Sequence, residues 1–127
     1  MPNKKISKLL ELLIHKATEE AYQNAHEWMS SDSSIASQLR DGIRTAMSSF
    51  SEINSETEEV ESLLNLMQEE LEKVLIYYRQ LPGNFGQWEC SALNIIARSV
   101  GNMKRNKYAP SPEEIADFEV DEILSLI

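Results

Sequence analysis

His15, Glu19, Tyr22 and His26 recur along one stretch of the chain. These are side chains that bind metals or move protons. On a helix, His15 and Glu19 stand one turn apart, as do Tyr22 and His26. The two histidines are separated by eleven residues, roughly 16 Å along a helix axis. One metal ion cannot bridge that span. A di-iron bundle needs a Glu-x-x-His pair on each of two helices, and the sequence contains no such pair. The column is expected to form a solvated helix face or a contact surface. Cys90 is the sole cysteine, so no internal disulfide can form, which agrees with a reducing compartment. It falls away from the apolar stripe of its own segment, and a nucleophile needs a nearby base. Neither histidine is local in sequence, so Cys90 reads as an idle thiol.

Charge is the more informative pattern. The chain carries 21 acidic and 12 basic residues, a net charge of −9. From Glu52 to Glu72 there are eight acidic residues and no basic one, and from Glu113 to Glu122 six more, again with no basic one. Basic residues gather at Lys4–Lys8 and Arg98–Lys107. Single-sign clusters on rigid helices steer complementary surfaces. The acidic balance argues against direct nucleic-acid binding, since phosphate-binding faces are basic.

Within the acidic region lies Glu69-Glu70-Leu71-Glu72-Lys73-Val74-Leu75-Ile76-Tyr77. This stretch resembles the E-E-L-x-D-V-L-x-Y segment of the all-α nucleoside triphosphate pyrophosphatases. The resemblance implies paired acidic residues that hold magnesium, with the metal activating water against a triphosphate. It covers about ten residues. Lys73 stands where the family has an acidic ligand. The second pair would be Glu56/Glu59 or Glu58/Glu61, both on the same predicted helix as Glu70. The hydrolase is therefore the minor alternative, and no catalytic, metal or cofactor residue is assigned.

The elements that position these residues follow from apolar spacing. Ile6, Leu9, Leu10, Leu13, Ala17, Ala21 and Trp28 recur at three- and four-residue steps and predict a helix near 4–30, with Asn24 on its stripe. After a Ser-rich turn in which Asp32 or Ser33 can cap, Ile35, Leu39, Ile43, Ala46, Met47 and Phe50 predict a second helix near 34–50. Gly42 weakens it slightly. Ser55 and Glu58 have the spacing of a capping box and predict a third helix near 56–81. Its seam is Val60, Leu64, Met67, Leu71, Val74, Tyr78 and Leu81, widened by Leu63, Leu66, Leu75 and Tyr77, while Ile76 falls on the acidic back. Pro82-Gly83 ends it. Trp88, Ala92, Ile95, Ile96, Ser99, Val100 and Met103 predict a fourth helix near 87–106. Phe85 and Trp88, flanking Gly86, either plug the bundle end or serve recognition. Ser111-Pro112-Glu113-Glu114 opens a fifth helix near 112–125, apolar on more than one side, which packs in the domain or docks elsewhere.

The chain is thus expected to be all-α, a compact bundle of about five helices in one domain over 1–127, with 1–3 disordered. Lys4–Ile14 faintly imitates a secretion signal, but Glu11 interrupts it, His15 and Lys16 end it, and no small-residue cleavage site follows. No run approaches the roughly 18 apolar residues of a membrane span. A soluble, cytoplasmic location is expected. The leading functional expectation is a non-enzymatic protein-binding module of the inhibitor, immunity or phage-antagonist type. Glu58, Glu59, Glu61, Glu69 and Glu72 would meet a basic partner surface, with Ile76, Tyr77 or Leu66 as apolar anchors. The alternative is a structural subunit that self-associates or joins a larger assembly.

Overall fold

A computed structural model describes residues 8–29, 33–53, 57, 59–83 and 86–117. Within its helices the side chains of residues 20, 24–29, 33 and 117 are not described. The chain folds as α1 (Lys8–Met29), α2 (Ser33–Ser51), α3 (Val60–Arg79), α4 (Gln87–Arg105) and α5 (Pro112–Asp117), with no strand among the described residues. This is the expected all-α bundle. No described helix is long and apolar enough to cross a membrane.

The core explains the order of packing. α4 is the central pillar and packs against α1, α2 and α3, while α5 lies on α1. Leu10, Leu13 and Ala17 of α1 meet Leu39, Ile43, Ala46 and Phe50 of α2. Leu63, Leu64, Met67, Leu71 and Leu75 of α3 close on Ala92, Leu93, Ile96 and Val100 of α4. Each fully buried Leu or Phe stabilises the fold by about 1.5–3 kcal/mol relative to exposure.

The seam of α3 drifts from the expected one. Leu64, Met67 and Leu71 are buried as read from the sequence, but further along Leu75 is the innermost residue and Val74 and Tyr78 are only half-buried. A seven-residue repeat corresponds to 3.5 residues per turn, and a straight helix has 3.6, so the buried line rotates by about 20° per heptad. Tyr77, expected to widen the apolar side, is turned out to solvent.

The helix ends show which local signals counted. α3 begins at Val60, four residues after the predicted start, with Glu59 as N-cap in extended backbone and no side-chain cap bond. Ser55 and Glu58 lie outside the described residues, so their capping box is not seen. Thr57 Oγ1 accepts from the Glu59 N–H at 3.2 Å, and Ser62 Oγ donates to Glu59 Oε2 at 3.1 Å. The start of α5 matches its signal. Pro112 is the first helical residue, and Ser111 Oγ accepts from the Glu114 N–H at 3.0 Å. The Glu114 carboxylate does not return to Ser111. It accepts instead from Tyr108 Oη at 3.1 Å and pairs with Lys16 Nζ at 3.5 Å. Asp32, the side chain of Ser33 and the continuation beyond Asp117 lie outside what is described, and Ser33 is itself the first residue of α2.

Gly42 has a use that helix propensity hides. A Cβ built there would sit 2.8 Å from the Glu89 carbonyl oxygen and 3.0 Å from the Ala92 Cβ. Only a residue without a side chain lets α2 and α4 cross this closely.

Candidate functional site

Among the described side chains with potential chemistry in α1, His15, Glu19 and Tyr22 do not form a fully solvated face. His15, Lys16 and Glu19 are half-buried, and Tyr22 packs on the core. The reason is the number of neighbours. α1 is flanked by α2, α4 and α5 and touches α3, so Leu12 and Ile14, beside its main stripe, are buried too. The Thr18 hydroxyl is satisfied within the helix, donating to the Ile14 carbonyl at 2.9 Å. His26, Asn24 and Trp28 have side chains outside the described set. Glu11, partly enclosed on the same helix, has its pKa raised by burial, with nearby Lys8 opposing.

Cys90 also departs from expectation. It is half-buried and packs against the core. Burial pushes its thiol pKa up. Arg79 lowers it and Glu89 raises it, both to a smaller degree. A raised pKa keeps the thiol protonated, the opposite of an activated nucleophile.

The acidic face of α3 is where the predicted residues come together. Glu61, Glu69, Glu72 and Ile76 follow one another at helical steps along a single exposed stripe, with Asn65 between. The stripe runs about 22 Å from Glu61 to Ile76 at 1.5 Å per residue. Tyr77 stands about 100° further round the helix, on the flank it shares with Lys73. Ile76 is 48% and Tyr77 61% exposed, the two large hydrophobic side chains left open among the described residues. The Tyr77 ring meets Tyr78 edge-on, with centroids 5.4 Å apart and planes at 80°. Tyr78 in turn packs on the core, so Tyr77 is held from beneath.

Charge along the stripe is only partly neutralised. Glu72 reaches Arg79 at 3.6 Å. No described cation lies within ion-pair distance of Glu61 or Glu69. Glu59, exposed at the N-cap, is occupied locally by Ser62. Glu58 lies outside the described residues. Leu66 is half-buried against the core, so little of it remains as an anchor.

The described carboxylates implied by the pyrophosphatase resemblance do not converge, and Glu56 and Glu58 lie outside the described residues. Glu70 turns from the exposed stripe toward α2, where Ser49 Oγ donates to its Oε2 at 3.0 Å and Lys73 Nζ to its Oε1 at 3.1 Å. Lys73 thus neutralises Glu70, the role opposite to that of a metal ligand. Glu59 and Glu61 lie nine or more residues earlier on the same helix, about 14 Å or more along the axis. Among the described residues no three His, Cys, Asp or Glu side chains gather at a metal-binding distance.

One feature that the residue spacing did not reveal lies at the other end of α3. Val60, Glu61 and Leu64 face Met103, Lys104, Lys107 and Tyr108 across an open groove of about 300 Å³. It forms because α3 and α4 run antiparallel, which brings the first turn of one to the last turn of the other. The one sequence signal was the basic run at the end of α4. No family model matches the chain, and comparison with curated proteins and with solved structures finds no match.

Proposed function

We propose that the chain is a non-enzymatic protein-binding module that presents the outer face of α3 to a basic partner. The observation that carries this reading is the exposed Ile76–Tyr77 pair at the end of a stripe holding Glu61 and Glu69, whose carboxylates have no ion-pair partner among the described residues. Apolar anchors beside charge are the arrangement of a protein contact. The anchors supply desolvation energy, and the carboxylates supply steering and register. An inhibitor or immunity protein for a basic toxin or nuclease, or a phage antagonist of a nucleic-acid machine, would have this chemistry.

The test uses two variants in parallel, Glu61→Lys/Glu69→Lys/Glu72→Lys and Ile76→Ala/Tyr77→Ala. A partner captured from the native host by the wild type, and released by raised salt, is expected to be lost by both variants while their circular dichroism stays helical. A partner held equally by both variants rejects the α3 face. The same exposed pair also suits self-association, the second reading. Sedimentation separates the two: a monomer at micromolar concentration rejects self-assembly, and a dimer abolished by Ile76→Ala/Tyr77→Ala supports it.

A further inference from the structure

We propose that the groove between the first turn of α3 and the last turn of α4 binds a small organic carboxylate with an apolar body. This site is separate from the Ile76–Tyr77 end of α3 and does not rest on the protein-binding reading.

The lining has two parts. Val60, Leu64 and Met103 form an apolar floor. All three pack against the core, so the floor is fixed. Tyr108 adds its ring, because its hydroxyl is turned to Glu114 at 3.1 Å. Burial, and to a smaller degree that hydrogen bond, raise the Tyr108 pKa to about 12, so the ring stays uncharged. The cationic part is Lys104 and Lys107. Lys104 Nζ donates to the Gln68 Oε1 at 3.1 Å, a neutral acceptor that leaves its charge uncompensated. Lys107 makes no ion pair among the described residues. In a chain of net charge −9, two ammonium groups without carboxylate partners among the described residues, beside one apolar floor, are unusual company. Glu61 on the rim is the opposing charge.

The backbone points the same way. α4 ends with the Tyr108 N–H on the Met103 carbonyl at 3.0 Å and the Lys107 N–H on the Lys104 carbonyl at 3.2 Å. This is a Schellman ending, in which the residue after the cap adopts left-handed backbone and is usually glycine. Here it is Lys107, at φ 52°. The turn alone would favour glycine. A lysine in that conformation keeps a side chain at the groove that glycine would forfeit. The volume lies at the lower end of small-molecule sites, which fits a slender acid rather than a docked helix.

Octanoate is the probe, with octanol and acetate as controls, followed through the NMR signals of the Met103 methyl and the Tyr108 ring. Octanoate is expected to shift both saturably, octanol far less, and acetate not at all. Lys104→Gln/Lys107→Gly is expected to weaken octanoate about tenfold or more, the loss of charge-assisted contacts. Glycine suits the turn at position 107, so that loss would not reflect unfolding. Glu61→Gln removes the opposing charge and is expected to tighten binding by about threefold. A leucine-terminated peptide, with free or amidated end, distinguishes a chain terminus from a free acid as the source. Tighter binding than octanoate that amidation abolishes supports a terminus, and weaker binding supports a free acid. Equal binding of octanol and octanoate, or undiminished affinity in the double lysine variant, overturns the proposal.

Discussion

α1 and α3 begin as similar sequences, each an amphipathic helix of about twenty residues with an apolar stripe and charged flanks, and they end in different surroundings. Around α1 the bundle closes on several sides. Leu9, Leu10, Leu12, Leu13, Ile14, Ala17 and Ala21 are all buried, and Glu11, His15, Lys16 and Glu19 are half-buried. α3 leans on α4 and α2 and leaves an outer flank wet along its whole length. Exposure is set here by how many helices arrive, not by the pattern on the helix itself. It also gives Ile76 and Tyr77 their meaning. On α1, apolar residues off the main stripe found cover. On α3, these two did not.

The strongest test of that contrast is Leu12→Ala. Leu12 lies off the main stripe, 2% exposed, under Met47 and Ile115. Losing it is expected to cost about 2–5 kcal/mol, measured by urea denaturation. A cost under about 0.5 kcal/mol would show that α1 is no more enclosed than α3. Next is Gly42→Val, which forces side-chain atoms into the Glu89 carbonyl and Ala92. It is expected to destabilise by about 1–3 kcal/mol despite the better helix propensity of valine. A neutral or stabilising result would mean that α2 and α4 separate easily.

A smaller effect tests the cover that α5 provides. The Tyr108 pKa is raised from 10.0 to about 12 by burial and by Glu114. The folded state therefore favours the neutral phenol, and its contribution is fully present below the unfolded pKa near 10. It is lost as pH climbs through about 12. Stability measured from pH 9 to 12 is expected to fall more steeply for the wild type than for Tyr108→Phe. Parallel curves would refute the coupling. Smallest of all is Ile76→Ala/Tyr77→Ala, expected to move stability by no more than about 0.5 kcal/mol per site. A larger loss would place these side chains in the fold rather than on a contact surface.

Those outcomes bear on how much could be read from residues alone. The segment of α4 was legible because Ala92, Ile96 and Val100 repeat at one-turn steps and all turn inward. The start of α5 was legible because Ser111, Pro112 and Glu114 act through bonds three residues long. The start of α3 was not. Glu56, Glu58 and Glu59 favour a helix N-terminus locally, yet helices in proteins are stabilised mostly by packing, and the apolar contacts of α3 begin at Val60. The acidic stripe was legible residue by residue because it lies on one helix. The groove was not, because its halves are some forty residues apart in sequence. Nor does any local rule place Lys107 in a conformation that glycine prefers.

The near-contact of backbones at Gly42 has a mechanical consequence. With the Glu89 carbonyl lying where a methyl would have to go, α2 and α4 cannot slide past each other without first parting. They therefore act as one stiff beam. Slow breathing of the domain should appear as α1 or α3 swinging against that beam, and amide protons along the crossing should be the last to exchange with solvent.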